Sequence, residues 1–422
     1  MIMMVPFPAC FRKRGGKNQR SDLRKVLSIL SIIAGATALV CVPPASAAFG
    51  DRITIAGTEF RAGADRIWIN GANTPWHSWN EFGGRYDGAW WDQHFRQLHD
   101  NGINATRVWI SCNGEAGINL DSSGQVSGCT PAFWSDLDSL FQIAQNRQVY
   151  IMATLISFDH FSNNHANYRS WRNMITNGCN IDSMVDHYVV PFVNRYKENP
   201  WLWSIDLCNE PDWIHENARC GKISWDWIQT YFARAAVAIH ANSKILVTVG
   251  FSMGPKYNSG IHRTNVVSDA ALRAKADGDS GARLDFYAPH HYNWMNAAWG
   301  NPFYMSPTAY GLDGTRPVVI GECPAKGTAG HTAAQDYEHG CRNGWQGAMG
   351  WTSNGVDSNG GLAVLGPATR AFRDNHYRLV FPGMAGSKAA NPVAPEWNEG
   401  GSVAASACSR FSAPIFAIPS NL

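Results

Sequence analysis

Eight short runs of apolar and β-branched residues recur along the chain at intervals of about 30 to 55 residues, and this alternation limits the fold more than any other feature. The runs are 66–70 (RIWIN), 105–110 (ATRVWI), 149–156 (VYIMATLI), 203–207 (WSIDL), 245–249 (ILVTV), 284–288 (LDFYA), 317–320 (PVVI) and 347–351 (GAMGW). Nearly continuous apolar runs suit parallel strands buried on both faces, because an antiparallel sheet with one wet face alternates polar and apolar residues. Between the runs lie helical patterns. Residues 88–100 place Trp91, Phe95 and Leu98 on one face and stop at Asn101-Gly102. Thr130-Pro131 supplies a cap and a first-turn proline before Phe133, Leu137, Leu140 and Phe141, and Ser224 precedes Trp227, Ile228, Tyr231, Ala235 and Ile239. Eight strands alternating with helices predict a closed α/β barrel of the (β/α)8 type, built as a single domain over residues 48–377. No GxGxxG follows the first run, which argues against an open dinucleotide-binding sheet.

Composition supports a folded enzyme-sized core and removes some partners. Of 422 residues 45% are apolar and 16% charged, too apolar for a disordered chain. The formal net charge of +2, from 35 basic and 33 acidic residues, provides no field for a phosphate backbone, so no nucleic-acid partner is expected. Eighteen tryptophans are more than a core accommodates easily, and some are expected to line a groove.

The two ends differ from the middle. Residues 1–47 combine a basic stretch from Arg12 to Lys25, an apolar run 26–42 and Ala45-Ser46-Ala47, a signal-peptidase pattern that predicts a mature start near Ala48. The same run is almost long enough for an uncleaved anchor, the competing reading, whereas Val40 before Cys41 argues against lipidation. A secreted protein, extracellular or periplasmic, monomeric and with no stable membrane association, is the expectation. Residues 49–65 read as a hairpin under the barrel, and residues 378–422, rich in Pro, Ala, Gly and Ser, as a tail or wrapping segment. Export makes disulfides the expected state of the eight cysteines beyond the leader, with Cys112–Cys129 first, then Cys179–Cys220 and Cys323–Cys341. No cysteine pair has CxxC spacing, and neither a metal nor a cofactor is predicted.

Chemistry in such barrels sits where the strands end. The fourth run ends in Asn209-Glu210-Pro211-Asp212-Trp213 and the seventh in Gly321-Glu322-Cys323-Pro324, so each delivers a carboxylate to the mouth. Two facing glutamates are what retaining glycoside hydrolysis requires, one protonating the leaving oxygen and one attacking the sugar from the other side.

The NEP tripeptide after strand four and the IGE tripeptide after strand seven resemble glycoside hydrolase family 5, in the clan of retaining (β/α)8 glycosidases, over residues 66–351. The family pattern also finds its arginine on strand two in Arg107, its His-x-Tyr on strand six in His290 and Tyr292, and its tryptophan after strand eight in Trp351. The resemblance implies Glu210 as acid/base and Glu322 as nucleophile, the latter kept ionised by Arg107 and Tyr292. It implies Asn209 at the sugar 2-hydroxyl, His290 orienting the acid/base or the sugar, and Trp351 as the floor of the site. His160 is a departure, standing at an uncertain register after strand three, and His291, Glu115 and Asp159 carry no assigned chemistry. Trp76, His77, Trp79 and Asn80 after strand one, with Trp213, Trp294 and Trp299 after strands four and six, are groove candidates; Trp76 and Trp213 are singled out as substrate-binding.

The function implied is hydrolysis of a β-1,4-linked polysaccharide or oligosaccharide by double displacement. A cellulase-like endo-β-1,4-glucanase is the leading reading, and β-mannanase or β-mannosidase activity the alternative. A non-hydrolytic carbohydrate-binding barrel would be expected to lack one carboxylate, and both are present.

Overall fold

The computed structural model describes residues 49–258 and 265–384. Its eight parallel strands are β1 (Ile69–Asn73), β2 (Ala105–Trp109), β3 (Tyr150–Thr154), β4 (Leu202–Asn209), β5 (Leu246–Phe251), β6 (Ala288–Pro289), β7 (Ile320–Pro324) and β8 (Gly347–Trp351). Each pairs with its sequence neighbour, and β8 returns to β1. The join between β6 and β7 is made by parallel bridges from Tyr287 to Val318 and from His290 to Glu322. The ring is closed, so the chain is a (β/α)8 barrel. Every residue of β1, β2, β3, β4 and β8 is buried, which is why those segments carry almost no exposed polar side chains.

Three strands differ from the runs that announced them. The first is Ile69–Asn73 rather than 66–70, and Arg66 instead pairs in the small sheet below. INGAN lacks β-branched residues after Ile69, but the ring demands small ones there: a Cβ at Gly71 would lie 2.8 Å from Met349 Cγ, and one at Gly347 2.5 Å from Ile69 Cβ. The sixth shrinks to two residues, and the seventh sits three residues later than 317–320. Pairing of β7 with β8 slips between Ile320 and Cys323, the stretch that carries Glu322.

The helices follow their sequence signals closely. Gly88–Asp100 is capped by Asp87, whose carboxylate accepts the Trp90 N–H at 3.0 Å, and buries Trp91, Phe95 and Leu98. Pro131–Arg147 is capped by Thr130 onto the Phe133 N–H at 3.2 Å, while Trp225–Asn242 begins after Ser224 without a side-chain cap.

Beneath the ring, Ile53–Ala56 and Glu59–Ala62 form an antiparallel hairpin joined by Asp65–Arg66. Its Phe60 meets Trp203 and Phe286 edge-on at 5.4 and 5.3 Å, a dry aromatic plug. Packed structure continues past the expected boundary at residue 377. A short helix, Tyr377–Val380, and the buried Phe381 lie against the barrel, with Trp68 N–H donating to Leu379 O at 2.9 Å. The leader and the rest of the tail lie outside the described residues.

The three expected disulfides are not formed. Cys112, Cys129, Cys220, Cys323 and Cys341 are all free thiols, so each of the three pairs is open. The loop that Cys112–Cys129 was expected to close is held by backbone instead, Ile118–Leu120 pairing with Val126–Cys129, and Cys112 is buried among the tryptophans of the mouth. Cys323 is buried in β7 and Cys341 ends the helix Ala333–Arg342. Among the described residues no helix is long and apolar enough to cross a membrane.

Candidate active site

An arginine in a strand buried on both faces needs partners, and the barrel interior supplies them. Arg107 in β2 is 1% exposed and donates through Nε and Nη2 to Asp206 Oδ2 in β4 at 3.0 and 2.7 Å. Its Nη2 also reaches Asn209 Oδ1 at 2.8 Å, and Nη1 reaches Glu322 Oε1 at 2.8 Å and Asn73 Oδ1 at 3.2 Å. One guanidinium thus ties strands β1, β2, β4 and β7 together at the mouth through charge-assisted bonds. Asp206 is further satisfied by Thr154 Oγ1 and the Gly250 N–H, each at 3.0 Å.

The two glutamates sit in different surroundings. Glu322 takes Arg107 on one oxygen and the Tyr292 hydroxyl on the other, at 2.8 and 2.7 Å. Glu210 follows β4 with φ +49°, a left-handed conformation uncommon for a residue with a Cβ. It is held there by its N–H to Gly250 O at 2.7 Å. The Glu210 carboxyl accepts the Trp213 indole N–H at 3.0 Å and lies 2.9 Å from His290 Nδ1. Ligand-capable atoms of Glu210, His290 and Glu322 all lie within 4.8 Å of one another. With Arg107 already on Glu322, this group has its positive charge in place.

Burial raises the pKa of Glu210 to about 7, and the charge of Arg107 and the Trp213 bond offset it only in part. Burial also raises Glu322, opposed by His290 and Arg107 and by the Tyr292 bond, with Glu210 pushing the other way. His290 is lowered to about 4 by burial, so its ring is neutral. Nε2 has no hydrogen-bond partner, so the proton belongs on Nδ1, between the carboxylates. The arrangement can present one carboxyl that holds a proton near neutrality beside another that is fixed by a cation.

Over this polar floor lies an aromatic wall. Trp351, Trp76 and Trp109 cluster with Cys112, flanked by Trp79 and Tyr292. Trp76 stands edge-on to Trp109 at 5.0 Å and to Trp351 at 6.2 Å.

No family model matches the chain. Curated relatives do: it is 27% identical over 341 residues to the mannan endo-1,4-beta-mannosidase of Mytilus edulis, covering 74% of this chain and 90% of that one. To the mannan endo-1,4-beta-mannosidase of Cryptopygus antarcticus it is 26% identical over 345 residues, 75% and 88% of the two chains. The chain is a glycoside hydrolase. The crystal structure of the endo-1,4-beta-mannanase from Eisenia fetida superposes with a TM-score of 0.68 at 22% identity, over 76% of this glycoside hydrolase and 95% of that chain, and shares its fold.

In this glycoside hydrolase the structure brings Arg107, Asn209, Glu210, His290, Tyr292, Glu322, Trp351, Trp76 and Trp213 to one mouth. His160 stands behind Ser157, whose hydroxyl accepts from Asn209 Nδ2 at 3.3 Å. It is fully buried between Ser111 and Ser157 and edge-on to Trp171, where it closes a short 3-10 turn. His291 bonds Asn296 Oδ1 at 3.0 Å, and Glu115 accepts the Ala166 N–H at 3.2 Å. Asp159 accepts from the Ser157 hydroxyl at 2.8 Å. His77 stacks on Trp90 of the first helix at 4.1 Å, Asn80 is bonded to Asn113, and Trp79 stacks on His165 at 6.0 Å. Trp294, 58% exposed, stands beside the half-buried Trp299 on the loop after β6.

Sequence reasoning passed over Asp206 and Trp109. Asp206 had a signal, since a lone Asp in WSIDL and a lone Arg in ATRVWI are charges that a buried sheet tolerates only as a pair.

Proposed function

We propose that the protein is a secreted endo-β-1,4-mannanase that cleaves mannan backbones with retention, Glu210 acting as acid/base and Glu322 as nucleophile. The observation that carries the assignment is the unequal environment of the two carboxyls. Glu322, bonded by a guanidinium and a phenol, suits attack as an anion; Glu210, with a neutral indole and a neutral imidazole, suits holding a proton for the leaving oxygen. Their closeness favours direct attack, because an inverting pair needs about 6.5–9.5 Å to admit water.

In the first step Glu322 forms a bond to the anomeric carbon while Glu210 gives its proton to the departing glycosidic oxygen. In the second, Glu210 takes a proton from water, whose oxygen displaces Glu322. Asn209, held by Arg107, presents its amide toward the sugar 2-hydroxyl, and Trp351 offers its ring face to the sugar beneath. The mannan reading rests on the relatives, whose names favour it over the glucan that sequence motifs put first. Reducing-end assays on mannan, glucomannan, carboxymethyl cellulose and xylan, with product sizing, test it. Rapid release of mid-length mannooligosaccharides is expected. Turnover of cellulose at a rate equal to or above mannan returns the reading to a glucanase, and mannose alone would make it an exo-acting mannosidase. Secretion is tested by N-terminal sequencing of exported protein, expected to start near Ala48.

A further inference from the structure

We propose that Asp212 is a positioning residue for Glu210: its buried carboxyl ties the backbone of Ser252 and Met253, beyond β5, to the turn that carries the acid/base. The inference rests on the role proposed for Glu210.

Asp212 lies two residues after Glu210, in the short helix Pro211–Glu216, and is completely buried. Asp212 stands in the first helical turn, and each of its oxygens reaches a backbone N–H of another loop. Oδ1 accepts the Ser252 N–H at 3.1 Å and Oδ2 the Met253 N–H at 2.6 Å. Among the described residues no ion pair joins Asp212 to a cation, so a buried acid is kept without the partner that usually accompanies one.

The tie lands where Glu210 needs it. Glu210 N–H donates to Gly250 O, and Gly250 N–H donates to Asp206, so the end of β5 is gripped from below by Asp206 and from outside by Asp212. The side chain of Ser252, placed by the same grip, is a hydrogen-bond donor to the Glu210 carboxyl. A left-handed glutamate is strained and persists only where neighbours over-determine it.

The charged and titratable groups facing Glu210 are Arg107, Asp159, Asp212, His290, Tyr292 and Glu322. Burial, with a contribution from Glu210, pushes Asp212 to about 8, above the value of about 7 at Glu210. Asp212→Asn keeps the size of the side chain and changes its hydrogen bonding. Asparagine offers one acceptor where two are used, so one N–H loses its partner and the Ser252 hydroxyl is released.

The test compares wild type, D212N, S252A and E210A on an unactivated mannooligosaccharide and on a dinitrophenyl glycoside, with pH profiles of kcat/KM. In D212N, kcat/KM on the oligosaccharide should fall by about 10-fold or more, the first step on the activated substrate should change by less than about threefold, and the alkaline limb should shift by about half a unit. S252A keeps both backbone bonds and, losing the Ser252 donor, should move the limb up by a smaller amount, which serves if D212N does not fold. Equal losses on both substrates with an unmoved limb in D212N, or an unmoved limb in S252A, overturn the proposal. E210A separates the two claims: if it shows leaving-group dependence and D212N does not, the positioning role alone fails; if E210A shows none, the acid/base reading itself falls.

Discussion

The two ends of the barrel are built on opposite principles. At the bottom, Phe49, Phe60, Trp201, Trp203 and Phe286 are packed ring against ring and all buried, with only indole N–H groups as polar atoms among their side chains. At the mouth, Asn73, Arg107, Asp206, Asn209, His290 and Glu322 are just as buried, each 4% exposed or less, yet all are polar or charged. Apolar burial stabilises by roughly 25 cal/mol per Å², whereas burying charges gains little net stability even when they are paired. The bottom therefore supports the fold, and the mouth holds reactive groups in one geometry at some cost in stability.

The largest effect should come from the mouth with no cost to the fold. Glu322→Ala should lower kcat by about 10⁴-fold or more on every substrate while leaving Tm within a few degrees, read by single-turnover assay and calorimetry. Glu210→Ala should spare the first step on activated aryl glycosides and regain turnover with azide. A mutant that melts far earlier would place the glutamates in the supporting half of the molecule.

Next, Arg107→Ala and Phe60→Ala should cost similar stability for different reasons. The first leaves Asp206 and Glu322 buried without their cation, about 3–5 kcal/mol, and the second opens a cavity beneath the ring, also about 3–5 kcal/mol. Urea unfolding should find them alike, but only Arg107→Ala should lose activity per folded molecule. Loss of kcat in folded Phe60→Ala would show that the two ends are coupled.

The mouth should also make stability depend on pH. Glu210 is raised above the ordinary carboxylate range in the folded state, so its contribution is fully present below about 4.5 and is lost as pH rises through about 7. Tm should decline across that window, and Glu210→Gln should flatten the slope. Activity should fall over the same alkaline limb, because the first step needs the protonated carboxyl.

The smallest effect belongs to the rim. Trp294→Ala removes an exposed ring and should leave Tm unchanged, while weakening long oligosaccharides by about fivefold, on the order of 1 kcal/mol, if that ring stacks on substrate. An unchanged chain-length dependence would confine binding to the wall of Trp76, Trp109 and Trp351.

Much of this architecture was legible before any coordinates. Helix starts at Asp87 and Thr130 follow from local capping chemistry, and the NEP and IGE tripeptides locate both carboxylates because a strand end is a local event. Where packing across the ring decides, local signals failed. The first strand lies at INGAN because Met349 and Ile69 leave room only for glycine opposite, a demand invisible in the strand's own residues.

What the sequence by itself determined is the periodicity of the barrel, the helix boundaries and the identity of the two glutamates, since hydrophobic pattern and capping act over a few residues. Only the tertiary structure decided that Cys112, Cys129, Cys220, Cys323 and Cys341 remain free thiols and that Asp206 shares the guanidinium with Glu322. The second depends on groups about 100 residues or more apart in the chain, Arg107 with Asp206 and with Glu322, meeting at distances below 3 Å, and no local propensity specifies such a meeting. The closing of the ring does, because it fixes which side chains share the interior and leaves each buried charge a single available partner set.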